Sequence, residues 1–199
     1  MLKDYGNKKQ RRESALTRFL FFGNIIPYKR LDILLDAINN LVEEGIDNFK
    51  VSICGYCRPE IWESKYAPII KYPKYIECDI RRIPNELVGT YFCQNDYFVM
   101  PYQDIAQSGA MTVALNYNMP IIASDLDTFK EFITHKENGF LFKQGDVMAL
   151  TDAMKWAIGN SSDEYFKLKD NLYKMVDENL SSNIIEKRYS DYLNSCLNA

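Results

Sequence analysis

The chain has 199 residues, 47% apolar, 26% charged and 14% aromatic, enough to bury one sizeable core and too apolar for a disordered or fibrous chain. Its formal charge of −3 lacks the basic surplus of a dedicated nucleic-acid binder, so no nucleic-acid partner is expected. It has no run of roughly 18 apolar residues, so no membrane-spanning helix is expected.

Short apolar runs alternate with longer amphipathic stretches along the sequence. Phe19–Gly23 reads as a strand closed by glycine, followed by a helix over Leu31–Val42 with Leu31, Leu34, Leu35, Ile38, Leu41 and Val42 on one face. Phe49–Cys54 reads as the second strand, Glu60–Ile70 as a looser helical stretch and Tyr75–Cys78 as the third strand. Pro84 opens a helix over Asn85–Cys93, where its missing N–H costs nothing. Strands at Tyr97–Met100, Pro120–Ser124 and Gly139–Phe142 alternate with helices at Gly109–Tyr117, Phe129–Thr134 and Val147–Ile158. Helices near Glu164–Val176 and Asn183–Cys196 finish the chain. The alternation predicts right-handed βαβ units: a Rossmann-like, three-layer α/β domain with a roughly six-stranded parallel sheet. Such sheets bind ligands outside the carboxyl ends of their strands.

Residues 1–16 are polar, with Lys3, Lys8, Lys9, Arg11 and Arg12, and read as an arm or linker before a domain spanning 17–199, whose C-terminal helices occupy 164–197. Contact of this arm with an anionic membrane surface or a partner is the alternative. Lacking an apolar core, the arm is not expected to be a secretory signal, and a cytoplasmic location is expected. The five cysteines form no regular framework. Cys54 and Cys57 make a C-x-x-C without a second ligand pair, so buried, reduced, inert cysteines are expected rather than zinc.

The loop after the first strand runs Gly23-Asn24-Ile25-Ile26-Pro27-Tyr28-Lys29-Arg30. Gly23 permits a close turn, and Lys29-Arg30 puts two cations before a helix N-terminus, which suits a diphosphate or a solvated surface. After the fourth strand, Gln107-Ser108-Gly109-Ala110 stands where the next helix begins. Ser108 suits either a helix cap or a hydroxyl offered to phosphate, and Gly109 lets a ligand approach the backbone. Tyr28, Tyr102 and Phe129 sit at strand-to-helix turns and read as packing or as pocket walls; His135, the single histidine, has no nucleophile pattern around it.

These blocks, FFGNIIPYKRLDILLDAI, VSICGY, IPNELVGTYFCQNDYFVMPY, QSGAMTVALNYNMPIIASD and KENGFLFKQGDVMALTDAM, in this order resemble the C-terminal, donor-binding half of the group 1 (family 4) glycosyltransferases. The resemblance covers about residues 17–197 and implies one half of a two-domain GT-B fold. By its pattern, Lys29 matches the lysine that contacts the donor diphosphate and is the catalytic candidate. Asn24 stands where many relatives carry an arginine, and Arg30 replaces the usual glycine after the lysine as a partial substitute cation. The backbone of Gln107, Ser108, Gly109 and Ala110 matches the phosphate-receiving helix start, with Gly23 in the facing turn. Ile80 and Arg81 match the turn that holds the nucleobase, and Glu131 matches a glutamate after the fifth strand. Two glutamates common in relatives are replaced by Ile105 and Val113; a subgroup with QSG in this loop is more similar, and Asp104 is one residue out of register.

The resemblance implies a retaining glycosyltransferase that moves a hexose or related sugar from a nucleoside-diphosphate sugar to a saccharide or lipid-linked acceptor, in polysaccharide biosynthesis. No metal or cofactor is expected: Lys29, Arg30 and the helix dipole near Ser108 would stabilise the leaving diphosphate, with Lys29 supplying about 2–4 kcal/mol. The acceptor site would lie in an N-terminal domain, carried by a longer chain or a separate subunit. Without it the chain is expected to be inactive, and association with the inner membrane face is a further expectation. The rival reading is a non-catalytic nucleotide-binding or partner subunit. A flavodoxin- or dehydrogenase-type binder is disfavoured because no G-x-G-x-x-G follows the first strand.

Overall fold

The computed structural model describes residues 16–105 and 107–180. The two outer strand-bearing halves meet at β1 (Thr17–Phe22), which pairs in parallel with β2 (Phe49–Cys54) on one side and β4 (Tyr97–Met100) on the other. With β3 (Ile76–Asp79), β5 (Ile121–Ser124) and β6 (Gly139–Phe142), the sheet runs β3-β2-β1-β4-β5-β6, all parallel. This is the doubly wound order, in which the chain reverses direction across the sheet between β1 and β4 and opens a crevice there.

The central strands are near-continuous apolar runs because both faces are covered. Phe19, Leu20, Phe21, Phe98, Val99, Ile121 and Ile122 are wholly buried. Each contributes on the order of 1.5–3 kcal/mol by leaving water. α1 (Leu31–Glu43) lays Leu31, Leu34, Leu35, Ile38 and Leu41 on the sheet at helical spacing. It stops in a glycine cap: Gly45, at φ +82°, donates to Val42 O and Ile46 donates to Leu41 O, both at 3.0 Å.

α6 (Val147–Gly159) returns across the sheet to α1, where Asn40 Nδ2 lies 3.4 Å from Thr151 Oγ1 and Lys155 pairs with Glu44 at 2.6 Å. On the other side, α3 (Asn85–Gln94) packs on β1, and α4 (Gly109–Asn116) meets α7 (Ser162–Leu180). Tyr165 of α7 stacks edge-on against Tyr97 of β4, with ring centroids 5.4 Å apart.

Four details differ from the sequence expectations. The stretch from Glu60 to Ile70 is broken into the single turn α2 (Pro59–Ile61), a π turn at Trp62–Tyr66 and a 3-10 turn at Ala67–Ile69, because Pro68 cannot continue an α-helix. Tyr75 belongs to a 3-10 turn rather than to β3. The helix expected at Phe129–Thr134 is the shorter α5 (Asp127–Lys130), and beyond it Asn138 Oδ1 captures the Thr134 N–H at 2.8 Å. Cys54 and Cys57 are buried as expected, whereas Cys78 and Cys93 are exposed. Cys93 follows Phe92 on α3, and with Phe92 turned to the core the next residue turns outward. The arm at residues 1–15 and the helix expected over Asn183–Cys196 lie outside the described residues.

Candidate functional site

The loops at the carboxyl ends of β1 and β2 are locked together through their glycines. Gly23 donates to Cys54 O at 2.9 Å, and Ile25 donates to Tyr56 O at 2.8 Å. A β-carbon on Gly55, whose φ is +147°, would lie 1.9 Å from Gly23 O, so no other residue fits there without moving the turn. The first loop is thereby held open over the sheet, and its next polar side chain with a charge is Lys29.

Lys29 ends the 3-10 turn Pro27–Lys29 just before α1 and is only 7% exposed. Its Nζ donates to Phe22 O at 3.3 Å and lies 5.4 Å from the centre of the Tyr102 ring. It also touches Gly23, where a β-carbon would come within 2.8 Å of Nζ. Among the described residues no carboxylate pairs with it. Burial pushes its pKa from the ordinary 10.5 down to about 8. At neutral pH it is a desolvated cation with a carbonyl and an aromatic face for company, an arrangement that favours an incoming anion.

The loop after β4 faces it. Ser124 Oγ donates to Tyr102 O at 2.7 Å, Thr128 Oγ1 donates to Ile105 O at 3.0 Å, and the Gln103 N–H reaches Tyr28 O at 2.7 Å. Tyr102 is buried, which pushes its phenol pKa up, and its hydroxyl is hydrogen-bonded to Ser108. It therefore packs under both Lys29 and the start of α4. Ser108 Oγ caps α4 by accepting the Met111 N–H at 3.2 Å. Gln107 and Gly109 are exposed beside it, and nothing lies within 4 Å of the place a β-carbon on Gly109 would take. The helix start is open to solvent, with the positive end of its dipole outward.

A cleft of about 690 Å³ extends from these turns toward β3, lined by Phe22–Pro27, Gly55–Arg58, Ile61, Arg82, Ile83, Asn85 and Val88. That volume suits a nucleotide-sized ligand. The lining carries Arg58 and Arg82 and no Asp or Glu, and neither arginine is ion-paired among the described residues.

Of the expected site residues, Gly23 and Asn24 line this cleft, with Asn24 exposed on its wall; Lys29 lies against Gly23 and the Tyr102 ring without lining the cleft, and the 107–110 segment lies outside its lining, after β4. Arg30 is turned elsewhere: its guanidinium grips Asp32 at 2.8–3.1 Å. Its φ of +49° is the left-handed conformation that a glycine would take freely. Ile80 is half-buried, and Arg81 bends back to Asp79 at 2.7 Å, where the Tyr91 hydroxyl also donates. Ala110 is half-buried, while Glu131 is exposed at the end of α5. Phe129 and Tyr102 are packing residues in one aromatic row with Tyr28, which stays 37% exposed.

Sequence reasoning missed Gly55, Tyr56, Arg58 and Arg82. The available signal was position, since each lies in a loop directly after β2 or β3. A second cavity of about 250 Å³ lies at the opposite ends of the strands, between Lys136-Glu137 before β6 and the α6–α7 junction at Trp156, Asn160 and Glu164. Among the described residues no three His, Cys, Asp or Glu side chains converge on one point, and no helix is long and apolar enough to cross a membrane.

Comparison with known proteins gives one answer. An uncharacterized glycosyltransferase of Haemophilus influenzae is 25% identical over 170 residues, which is 84% of this chain and 46% of that protein. The chain thus spans about half the length of that curated relative. Among solved structures, Anabaena HepE in complex with UDP superposes with a TM-score of 0.77 at 14% identity, over 91% of this chain and 49% of that one. The C-terminal domain of the Francisella tularensis group 1 glycosyl transferase LpcC gives 0.70 at 17%, over 83% and 87%. TarM gives 0.74 at 17%, over 89% and 35%. The family model for glycosyl transferases group 1 matches residues 17–160. With its six-stranded parallel sheet matching one domain of the GT-B glycosyltransferases, the chain belongs to the group 1 glycosyl transferases.

Proposed function

We propose that this chain is the donor-binding domain of a retaining glycosyltransferase, taking a nucleoside-diphosphate sugar and passing the sugar to a saccharide or lipid-linked acceptor. The observation that carries the proposal is the buried Lys29, without a carboxylate partner among the described residues, seated by the ring of Tyr102 in the loop that leads to the open N-terminus of α4. A diphosphate placed there would meet a desolvated ammonium and a solvent-open helix dipole together. Both are strongest toward the charge that grows on the leaving diphosphate, so they lower the barrier to transfer rather than merely holding the donor. Lys29 is the catalytic residue of this proposal, which invokes no metal.

The acceptor and the groups that orient it are proposed to come from a second Rossmann-like domain, in the same polypeptide or another. This agrees with the coverage of 46% of the Haemophilus relative. A role in polysaccharide assembly at the cytoplasmic membrane face is part of the same proposal and rests on the family resemblance. Titration calorimetry with UDP, GDP and ADP tests the donor site. One of them should bind, and Lys29→Ala should weaken it at least tenfold, the usual scale for losing a charge-assisted hydrogen bond. Equal binding by wild type and Lys29→Ala would refute the assignment.

A further inference from the structure

The cavity of about 250 Å³ at the end of the sheet away from Lys29 is built from three segments. Lys136 and Glu137 come from the turn before the edge strand β6, Trp156 and Asn160 from the end of α6, and Glu164 and Lys167 from α7. Its walls are fixed in place. Asn171 Nδ2 donates to Glu137 O at 2.9 Å and ties α7 to the turn, which Asn138 closes through the Thr134 N–H at 2.8 Å and Phe132 O at 3.0 Å. Asn160 Nδ2 donates to the Tyr97 hydroxyl at 3.1 Å, and Trp156 packs on Phe140 with ring centroids 4.9 Å apart. Four charged side chains line this small space, two ammonium groups and two carboxylates, yet among the described residues none of the four is ion-paired. Glu164 accepts the Ser161 N–H and hydroxyl at 2.8 Å, and the Lys136 ammonium lies 5.8 Å from the centre of the Phe140 ring. The Lys167 ammonium and the Glu137 carboxylate make no hydrogen bond among the described residues.

We propose that this cavity is a saccharide-binding site, which takes one sugar ring of a neutral glycan at a distance from the transfer centre. Every sugar hydroxyl both donates and accepts, so a ring of them needs donors and acceptors interleaved, as two ammonium groups, two carboxylates and two amides supply. The indole of the half-buried Trp156 offers a flat apolar body to the C–H face of a sugar, with an edge N–H that has no partner among the described residues. Because the lining carries as many carboxylates as cations, it offers a phosphate or another anion no net attraction. The volume is below the roughly 300 Å³ at which pockets for drug-sized ligands begin, so it suits a single ring rather than a nucleotide. A strand of four residues such as β6 spans about 13 Å. The cavity and the crevice by Lys29 are a strand's length apart, and only a chain of several sugars could engage both. That this chain is the enzyme's own growing glycan rests on the donor reading above, and the cavity would then hold it near the transfer centre between additions.

Trp62→Phe leaves Trp156 as the one tryptophan of the chain, so its emission reads the site during titration of the full chain with maltotetraose, cellotetraose and chitotetraose, and with sodium phosphate and UDP as controls. At least one tetrasaccharide should shift the emission saturably, and phosphate should not. In that background Lys167→Ala and Glu137→Ala should each weaken the tetrasaccharide about 3- to 10-fold, the scale of one lost hydrogen bond. Saturating UDP should leave the saccharide affinity within about twofold, because the two sites are separate. Both substituted side chains are exposed, and unchanged thermal unfolding verifies the fold. Amide shift mapping of wild type with the same tetrasaccharides needs no variant and should mark residues 136–137 and 156–171. No emission or amide shift with any tetrasaccharide overturns this inference. So does a saturable shift with phosphate alone, which would make the lysines an anion site, or a tetrasaccharide shift indifferent to Lys167→Ala and Glu137→Ala. Failure of UDP to bind wild type overturns the donor reading instead, and leaves the saccharide titration to judge the cavity by itself.

Discussion

Replacing Lys29 with methionine should make the unliganded domain more stable while destroying its anion site. The side chain is 7% exposed, its pKa falls from 10.5 to about 8, and its recorded hydrogen bond is the 3.3 Å contact with Phe22 O. At about 1.4 kcal/mol per tenfold change in proton affinity, keeping this lysine charged in the fold costs roughly 3 kcal/mol at pH 7. Methionine fills nearly the same volume without a charge, and forfeits a hydrogen bond worth about 1 kcal/mol. The expected net gain is about 2 kcal/mol, or roughly 4–8 °C in Tm for a domain of this size.

The pH dependence fixes the cause. Because the folded-state pKa is depressed, the unfolded chain holds the proton more tightly, and wild-type stability rises as pH climbs from about 8 toward 10.5. The advantage of Lys29→Met should therefore shrink by about 2 kcal/mol between pH 7 and pH 9.5. Thermal and urea unfolding of both proteins at the two pH values measures it. A variant no more stable than wild type at pH 7, or an advantage that does not change with pH, would refute the picture of a desolvated cation awaiting an anion.

Gly55→Ala should cost more than about 2 kcal/mol, since its β-carbon collides with Gly23 O, whereas Gly109→Ala should be neutral or stabilising by up to about 1 kcal/mol at an open helix start. Denaturant titration compares them, and equal effects would contradict the packing of the two turns. Ser108→Ala should lose about 1 kcal/mol with its cap on Met111, and Ser108→Asp should restore most of it; indifference to both would remove Ser108 from the cap. Thiol labelling at pH 8 with peptide mapping should modify the exposed Cys93 before Cys54 and Cys57, because burial pushes the Cys54 thiol up to about 12. Early modification of Cys54 would contradict its burial.

What the sequence made legible is what depends on local pattern. The apolar runs of β2, β4 and β6 carried their own bounds, and the alternation with amphipathic helices led to the doubly wound sheet and so to the loops that matter. Lys29 and Ser108 were found because both stand at helix starts after a strand. Features decided by contact between distant segments were not legible. Gly55 is required by the carbonyl of Gly23, a neighbour only through the pairing of β1 with β2. Arg81 and Arg82 are adjacent in sequence, and the Asp79 carboxylate decides which of them is left for the cleft. Arg30 was lost as a second cation because Asp32, two residues on, binds it in a fork. Cys93, expected to be buried, is exposed because it follows the core-facing Phe92 on α3, a side that composition alone does not fix.

The most direct test of a donor site at this crevice is amide chemical-shift mapping of the ¹⁵N-labelled chain during titration with UDP and GDP. The account predicts shifts concentrated at Gly23–Arg30, Gly55–Arg58 and Gln107–Ala110, extending to Arg82, and absent in Lys29→Ala. Shifts clustered instead around the cavity near Lys136 and Trp156, or none with either nucleotide, would contradict it.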